Sequence, residues 1–543
     1  MNNGIFNVPI PANEPMLNYA PGSPERAAIK EELARQIESE PALIPFIING
    51  KASFDGQKGH CRIPHDHTHI LAEFTMADKT QLQAAVEAAM SAREGWQAMP
   101  WAHRASIFLK AADLVSGPWR HRLNAATMLG QSKTISQAEA DSACQLADFL
   151  RFNVHLAQEI FKNQPQSSCG VWNRIEHRPL DGFVLAISPF NFTSIGGNLP
   201  AAPAIMGNTV VWKPASASVV ANYMFYQILV EAGLPDGVIN FVPSRGSDVS
   251  ETILKDPRMA GFHFTGSTEV FSDVWRLVGE NIKIYNSYPR LVGETGGKDF
   301  VFAHPTANVR HLVVALIRGA YENQGQKCSA ASRAYIPESL WPQVKAMLLE
   351  EVAKIKVGDV CDFSNFMGAV IDEKAFKSIT SYIDYAKNSP DAEVLCGHYD
   401  DSKGYFVYPT IIKTSKPDFK TMREEIFGPV LTVYVYPDAE MEAAIESCRT
   451  VTPYALTGAI FANDRSAINH LEQALCDAAG NLYINDKPTG AMVGHQPFGG
   501  ARASGTNDKA GSILNLLRWC SQRTIKESFL PPAAVEYPSM GTE

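Results

Sequence analysis

The sequence predicts an α/β protein built on parallel sheets, and three observations carry that expectation. Short β-rich runs alternate with helical ones: GFVLAI, NTVVWKP, GVINFVP and AGFHFTG start near residues 183, 209, 238 and 260, separated by NLPAAPAIMG, SVVANYMFYQILVEAG and DVSETILKD. That spacing is the spacing of βα units, which lay parallel strands beneath helices on both faces. After residue 294 the alternation resumes with VRHLVVALIRGAYEN, a glycine-bearing loop, SRAYIP and PVLTVYVYP, which predicts a second α/β domain. Third, the 543 residues hold several domains of about 150 residues each. Charged residues make up 19% and hydrophobic ones 45%, the former below the roughly 25% usual for soluble domains, as in a large, well-buried, oligomeric body.

Taken in order, the first 45 residues are proline-rich and then helical (PERAAIKEELARQIESE), an arm or leading helix packed on something larger. Residues 46–76 alternate in strand fashion around FIINGK and HILAEF, which predicts a hairpin. From 78 to 162 apolar residues recur at three- and four-residue spacing, which predicts helices. The segment VWNRIEHRPL, 171–180, mixes apolar and charged residues just before the sheet and reads as a protruding ribbon. Gly182 to Trp212 carries no charge, yet Pro189, Asn191, Asn198, Pro200, Pro203 and Asn208 break it, so a membrane span is rejected. A proline-rich tail closes the chain.

Forty-eight basic and 57 acidic residues give a net charge of −9 without any basic block, which argues against nucleic acid as the partner and for a small molecule. The nine cysteines are scattered, odd in number and without a Cys-x-x-Cys pair, so neither a disulfide framework nor a zinc finger fits. MNNGIFNVPIPANEP has neither a basic-then-apolar start nor an Arg/Ser-rich composition. A cytoplasmic location, with no membrane association, is the expectation.

Cys328 lies in NQGQKCSAASR between a helix and a strand, with Gly325 permitting a tight backbone path and Lys327 adjacent, a setting expected to lower the thiol pKa. Taken alone, a cysteine among small residues is more often buried filler. Glu294 ends a strand in GETGGK, where glycines allow close approach to the backbone; alone, such a carboxylate is more often a surface group. Asn191 in SPFNF offers an amide donor to a developing oxyanion, against the plainer reading of a turn asparagine. Together, nucleophile, carboxylate and amide make the set needed for covalent chemistry on a carbonyl. FTGS, 264–267, follows a strand and opens a helix, where a phosphate fits, and Lys213 ends the strand NTVVWKP, where its ammonium can bond ribose hydroxyls or simply be solvated.

SPFNF, VVWKPA, EAGLPDGVINFVP, FTGS, GETGGK, NQGQKCSA, EEIFGPV and QPFGGARASGTN occur in this order, and by them the chain resembles the aldehyde dehydrogenase superfamily from about residue 45 to 530. PHDH, MPWAHRASIFLKAADL, FLRFN, GARASGTNDKAG and the long arm are similar to its 1-pyrroline-5-carboxylate dehydrogenase branch. The resemblance implies the aldehyde dehydrogenase fold: a Rossmann-like NAD-binding domain (1–162 with 183–295), an α/β catalytic domain (296–505), and an oligomerisation ribbon with C-terminal tail (163–182 with 506–543). It implies a homodimer or higher homo-oligomer, and NAD-dependent oxidation of L-glutamate γ-semialdehyde to L-glutamate, the second step of proline catabolism. Another semialdehyde or aliphatic aldehyde is the alternative.

By the same resemblance Cys328 is the nucleophile, Glu294 the base, and Asn191 with the Cys328 N–H the oxyanion site. Ser188 and Lys213 contact the cofactor, Gly266 and Ser267 its pyrophosphate, Glu425 the nicotinamide ribose, and Phe427 the ring. Ser216 stands where NAD-strict relatives carry a ribose-binding glutamate, so NADP stays open beside NAD. For the substrate, the resemblance implies Ser329 and the N–H groups around Gly490 and Ala491 at the carboxylate, with Phe192 and Phe498 along the chain. Gln145 replaces a glutamate that meets the ammonium. Three histidines at 65, 67 and 69 are read as structural rather than as a metal site, and no metal is expected; Arg333 is read as a scaffold ion-pair partner.

Overall fold

The computed structural model describes Gly4 and residues 6–542. Two seven-stranded sheets organise it. In the first, the order is Arg290–Glu294, Met259–Thr265, Phe183–Ile187, Val210–Lys213, Ile239–Phe241, Phe46–Ile48 and Lys51–Ser53. The first five are parallel, and the last two form a hairpin that adds antiparallel at one edge. Side chains alternate across it. Val184, Ala186, Val210 and Trp212 face a core built with the helices Trp101–Ser116, Arg120–Gln131 and Leu146–Lys162, while Phe183, Leu185, Val211 and Phe262 face one built with Lys79–Ala98 and Thr268–Glu280.

The second sheet runs Ala392–Cys396, Thr410–Thr414, Val430–Tyr436, Ala331–Pro337, Asp299–Ala303, Thr457–Phe461 and Asn481–Ile484, parallel except for its first strand. Phe300, Phe302 and Ile460 point to one core, and Val301, Ala303 and Ala459 to the other. Strands buried on both faces read as unbroken apolar runs, which is why they stood out in the sequence.

Local signals set the helix starts. Ser23 caps Pro24–Glu38, with proline at the first position, and Asp78 with Gln81 forms a reciprocal capping box on Lys79–Ala98. The uncharged stretch becomes a central strand and the buried helix Thr193–Ile205, which contains Pro200 and Pro203. Each proline removes an N–H and frees the carbonyl four residues back. Ser188 Oγ donates to the Gly196 carbonyl at 3.0 Å, and His263 Nδ1 meets the Leu199 carbonyl at 2.9 Å, so both freed carbonyls are satisfied.

The 46–76 region departs from a single hairpin. Phe46–Ile48 pairs with Lys51–Ser53 in the large sheet, whereas Asp66–Met76 pairs with Gln57–Ile63 and Ala42–Ile44 in a separate three-stranded sheet. The ribbon Val171–Arg178 pairs over its whole length with Ser521–Ser528, antiparallel. Among the described residues no helix is long and apolar enough to cross a membrane.

Candidate active site

A cleft of about 540 Å³ lies where the two sheets meet, lined by Glu294, Cys328, Ser329, Phe192, Gln145, Gly490, Ala491 and Phe498. Glu294 sits at the carboxyl end of the edge strand Arg290–Glu294, the end at which parallel sheets take their ligands. The Cys328 thiol donates to Glu294 Oε1 at 2.8 Å.

A strained loop delivers the cysteine. Asn323, Gln324 and Gly325 all have φ between 53° and 64°. A Cβ on Gly325 would lie 2.3 Å from the Gly428 carbonyl, so the turn tolerates no side chain there. Gln324 Nε2 donates to the carbonyls of Ser132 and Ala369, which holds the loop from below. Gly297 lies against it as well, since an added Cβ would sit 2.1 Å from the Cys328 carbonyl. The glycines of GETGGK thus make room for the chain's own groups: Gly297 for the cysteine loop, Gly296 for the carboxylate of Glu425.

Electrostatics correct one expectation. Lys327 does not set the thiol pKa: its ammonium faces Glu322 at 3.0 Å. Burial, and then the neighbouring Glu294, hold the Cys328 thiol well above its ordinary range. Burial also raises Glu294, to about 7 despite the opposing hydrogen bond from Cys328. The resting pair is therefore a thiol beside a carboxyl group that titrates at neutral pH.

Asn191 is buried and its Nδ2 donates to the Gln326 carbonyl at 3.1 Å, two residues from Cys328. It precedes the helix Thr193–Ile205, whose first N–H groups are capped by Asp141: Thr193 N at 2.8 Å and Ser194 N at 2.9 Å. Asp141 is paired with the equally buried Lys133 at 2.7 Å, and the Lys133 ammonium stands 4.0 Å from the centre of the Phe192 ring. Asp141 belongs to a π-helical segment, Glu139–Gln145. Sequence reading missed Lys133 and Asp141; Gly-Gln-Ser-Lys after a helix was the only local hint, and the partners lie far along the chain.

The other residues fall as follows. Ser329 Oγ donates to Thr489 Oγ1 at 2.9 Å. Gly490 has φ 96°, and Gln145 Nε2 donates to the Ala491 carbonyl at 3.1 Å. Phe498 is fixed through reciprocal backbone bonds with Ala510. Glu425 accepts from Gly297 N at 2.9 Å, and burial raises its pKa to about 6. Phe427, at φ 56°, meets Phe190 edge to face. Ser267 caps the helix Thr268–Glu280 beside Gly266. Burial lowers Lys213 to about 8, and Ser216 is exposed in the turn that follows. Ser188 is turned inward, accepting from Trp212 Nε1 at 2.7 Å while it donates to Gly196. Arg333 is scaffold, but not as an ion pair: its guanidinium donates to the Lys298 carbonyl and the Tyr335 hydroxyl. Of the three histidines, His65 bonds Asp359 at 3.0 Å near Cys361, and His67 bonds the Asp401 carbonyl.

The aldehyde dehydrogenase family model matches residues 53–525. The chain belongs to the aldehyde dehydrogenase family. Within the family it is 52% identical to the mitochondrial delta-1-pyrroline-5-carboxylate dehydrogenase of Dictyostelium discoideum, over 98% of this chain and 96% of that one. It is 48% identical to the mitochondrial enzyme of that name from Danio rerio, over 97% and 95%. The crystal structure of the delta-pyrroline-5-carboxylate dehydrogenase from Mycobacterium tuberculosis bound with NAD superimposes with a TM-score of 0.96 at 53% identity, covering both chains completely. These comparisons correct the cytoplasmic expectation, since several of the similar family members are named as mitochondrial. A missing local signal in a short N-terminal stretch was too slight a basis for it.

Proposed function

We infer that this chain oxidises L-glutamate γ-semialdehyde, the open form of 1-pyrroline-5-carboxylate, to L-glutamate with NAD, the second step of proline catabolism. The observation that carries this reading is identity near one half, along the full chain, to enzymes of that name. The thiol–carboxylate pair supplies the matching chemistry.

In the proposed mechanism Glu294 accepts the thiol proton as the sulfur of Cys328 attacks the aldehyde carbon. The carbonyl electrons move to oxygen, where the Asn191 amide, released from Gln326, and the Cys328 N–H stabilise the charge. NAD, when bound, supplies the hydride acceptor that turns the thiohemiacetal into a thioester. Glu294, at about pKa 7, sheds its proton near neutrality. It then takes one from the water that attacks the thioester, and the carbon–sulfur bond breaks.

The donor set fits a dinucleotide. Lys213 has only the Pro214 carbonyl, at 3.3 Å, as a partner among the described residues. Gly266 and Ser267 open a helix N-terminus suited to a pyrophosphate, and Glu425 offers a carboxylate to a ribose, with Phe427 beside it. For the substrate, Gly490, Ala491 and Ser329 seat the α-carboxylate, Phe192 and Phe498 flank the aliphatic part, and Gln145 faces the amino end. We assign 1–162 with 183–295 to cofactor binding and 296–505 to catalysis. The ribbon of 163–182 with 506–543, two paired strands with Trp172 exposed on one and Phe529 and Leu530 exposed just after the other, pairs with a second copy.

The test is NADH formation at 340 nm with pyrroline-5-carboxylate against succinic semialdehyde, glutaraldehyde and propanal, with Cys328→Ala as the blank. A clear preference for the amino-acid semialdehyde and a dead variant support the reading. A simpler aldehyde preferred, or turnover without the thiol, removes it.

A further inference from the structure

The N-terminal arm is part of the cleft wall. Asn13, Glu14 and Met16 line the same cavity as Cys328. The arm has no helix or strand between residues 6 and 20, so side chains and backbone groups of the body must hold it. Glu14 accepts from Arg120 at 2.9 Å and from Arg151 at 2.8 Å, while its N–H donates to Asp148 Oδ1 at 2.8 Å. Further on, Leu17 N and the Tyr19 hydroxyl both donate to Glu139, which is itself paired with Arg120.

Next to that anchored stretch, Asn13 spends its whole side chain on the body. Nδ2 donates to Asp148 Oδ2 at 2.8 Å and to the Val493 carbonyl at 2.9 Å, and Oδ1 meets His495 Nε2 at 3.0 Å. Val493 and His495 continue the segment that begins Thr489, Gly490, Ala491. That segment has neither helix nor strand, and its own backbone bonds close only a turn on the Met492 carbonyl, with Gly490 and Gly494 at positive φ, so its position depends on contacts with the body. Gln145 ties it at Ala491 from the other side.

We propose that Asn13 is a specificity-determining positioning residue: the arm clamps the 490–495 segment so that its N–H groups are pre-set for a substrate carboxylate. This rests on the carboxylate seat assigned to Gly490 and Ala491 above. An aldehyde without a carboxylate makes no demand on that seat. Losing the clamp therefore weakens binding of one substrate class and leaves the thiol chemistry in place.

The experiment is steady-state kinetics of Asn13→Ala and Asn13→Asp with pyrroline-5-carboxylate and with propanal. The aspartate keeps the shape but sets a carboxylate against Asp148 and the Val493 carbonyl. Both variants should raise KM for the amino-acid semialdehyde by about tenfold, with kcat changed less than about twofold and KM for propanal moved less than about threefold. Equal shifts for both substrates, or none for either, overturn the proposal. Turnover of propanal reports that each variant is folded. A wild-type enzyme that fails to prefer the semialdehyde would instead indict the substrate reading, a different failure.

Discussion

The Cys328 thiol donates to the Glu294 carboxylate at 2.8 Å; the carboxylate makes the buried thiol harder to ionise, while burial raises Glu294 more than the thiol's hydrogen bond lowers it. The base must be ionised to work. Its folded pKa lies above the ordinary carboxylate value, so activity is absent well below pH 7 and grows as pH passes through about 7. The profile of kcat is expected to rise with unit slope on the acid side and then level. Glu294→Gln should lose that rise and about 10² to 10⁴ in turnover. A profile flat from pH 5.5 to 8 would remove Glu294 from the role.

Alkylation reads the same pair from the sulfur side. At pH 7 iodoacetamide should modify the exposed Cys169 and Cys476 before Cys328, whose thiol is buried and held protonated. Removing the negative charge in Glu294→Gln takes away one of the groups that raise the thiol, so Cys328 should then label faster at a given pH. Peptide mass spectrometry across pH distinguishes this from a thiol activated by Lys327, for which the variant would label no faster.

Lys133 and Asp141 are an almost wholly buried ion pair, and Asp141 also caps the helix that follows Asn191. Removing one partner strands the other charge, at a cost of about 3–5 kcal/mol. Lys133→Met and Asp141→Asn should each lower the denaturant midpoint accordingly. Asp141→Asn should also reduce kcat more than it raises KM, because the amide donor loses its anchor. A variant as stable as wild type would show that the pair is not formed.

Ser188→Ala separates an internal from a cofactor role. The hydroxyl bridges Trp212 and the carbonyl freed by Pro200, so its loss should cost about 1–3 kcal/mol of stability. KM for NAD should change less than about twofold. A large rise in KM with stability intact would return Ser188 to the cofactor.

The strands near 183, 210, 239 and 259 were legible because fully buried parallel strands are short, uniformly apolar and bounded by turn residues. Cys328, Glu294 and Asn191 were legible as a set because each sits at a strand or helix end marked by glycine or proline. Long-range relationships were not. Nothing near Asn13 announces that it touches Val493, 480 positions away, and nothing in Gln-Lys-Cys says that Lys327 turns to Glu322. The direction of the thiol pKa depended on desolvation, which only the folded surroundings determine. The split of residues 46–76 between two sheets was hidden for a related reason, since alternation marks a strand without naming its neighbour.

The central claim is that Cys328 carries the substrate as a thioester that Glu294 releases. Its most direct measurement is the intact and peptide mass of Glu294→Gln, incubated with NAD and pyrroline-5-carboxylate long enough for the slower attack without that base and then quenched in acid, beside the slow NADH burst at 340 nm. About one glutamyl adduct per chain, located on Cys328, and a burst of matching size are expected. An adduct on another cysteine, or a burst with no adduct on any, would contradict it.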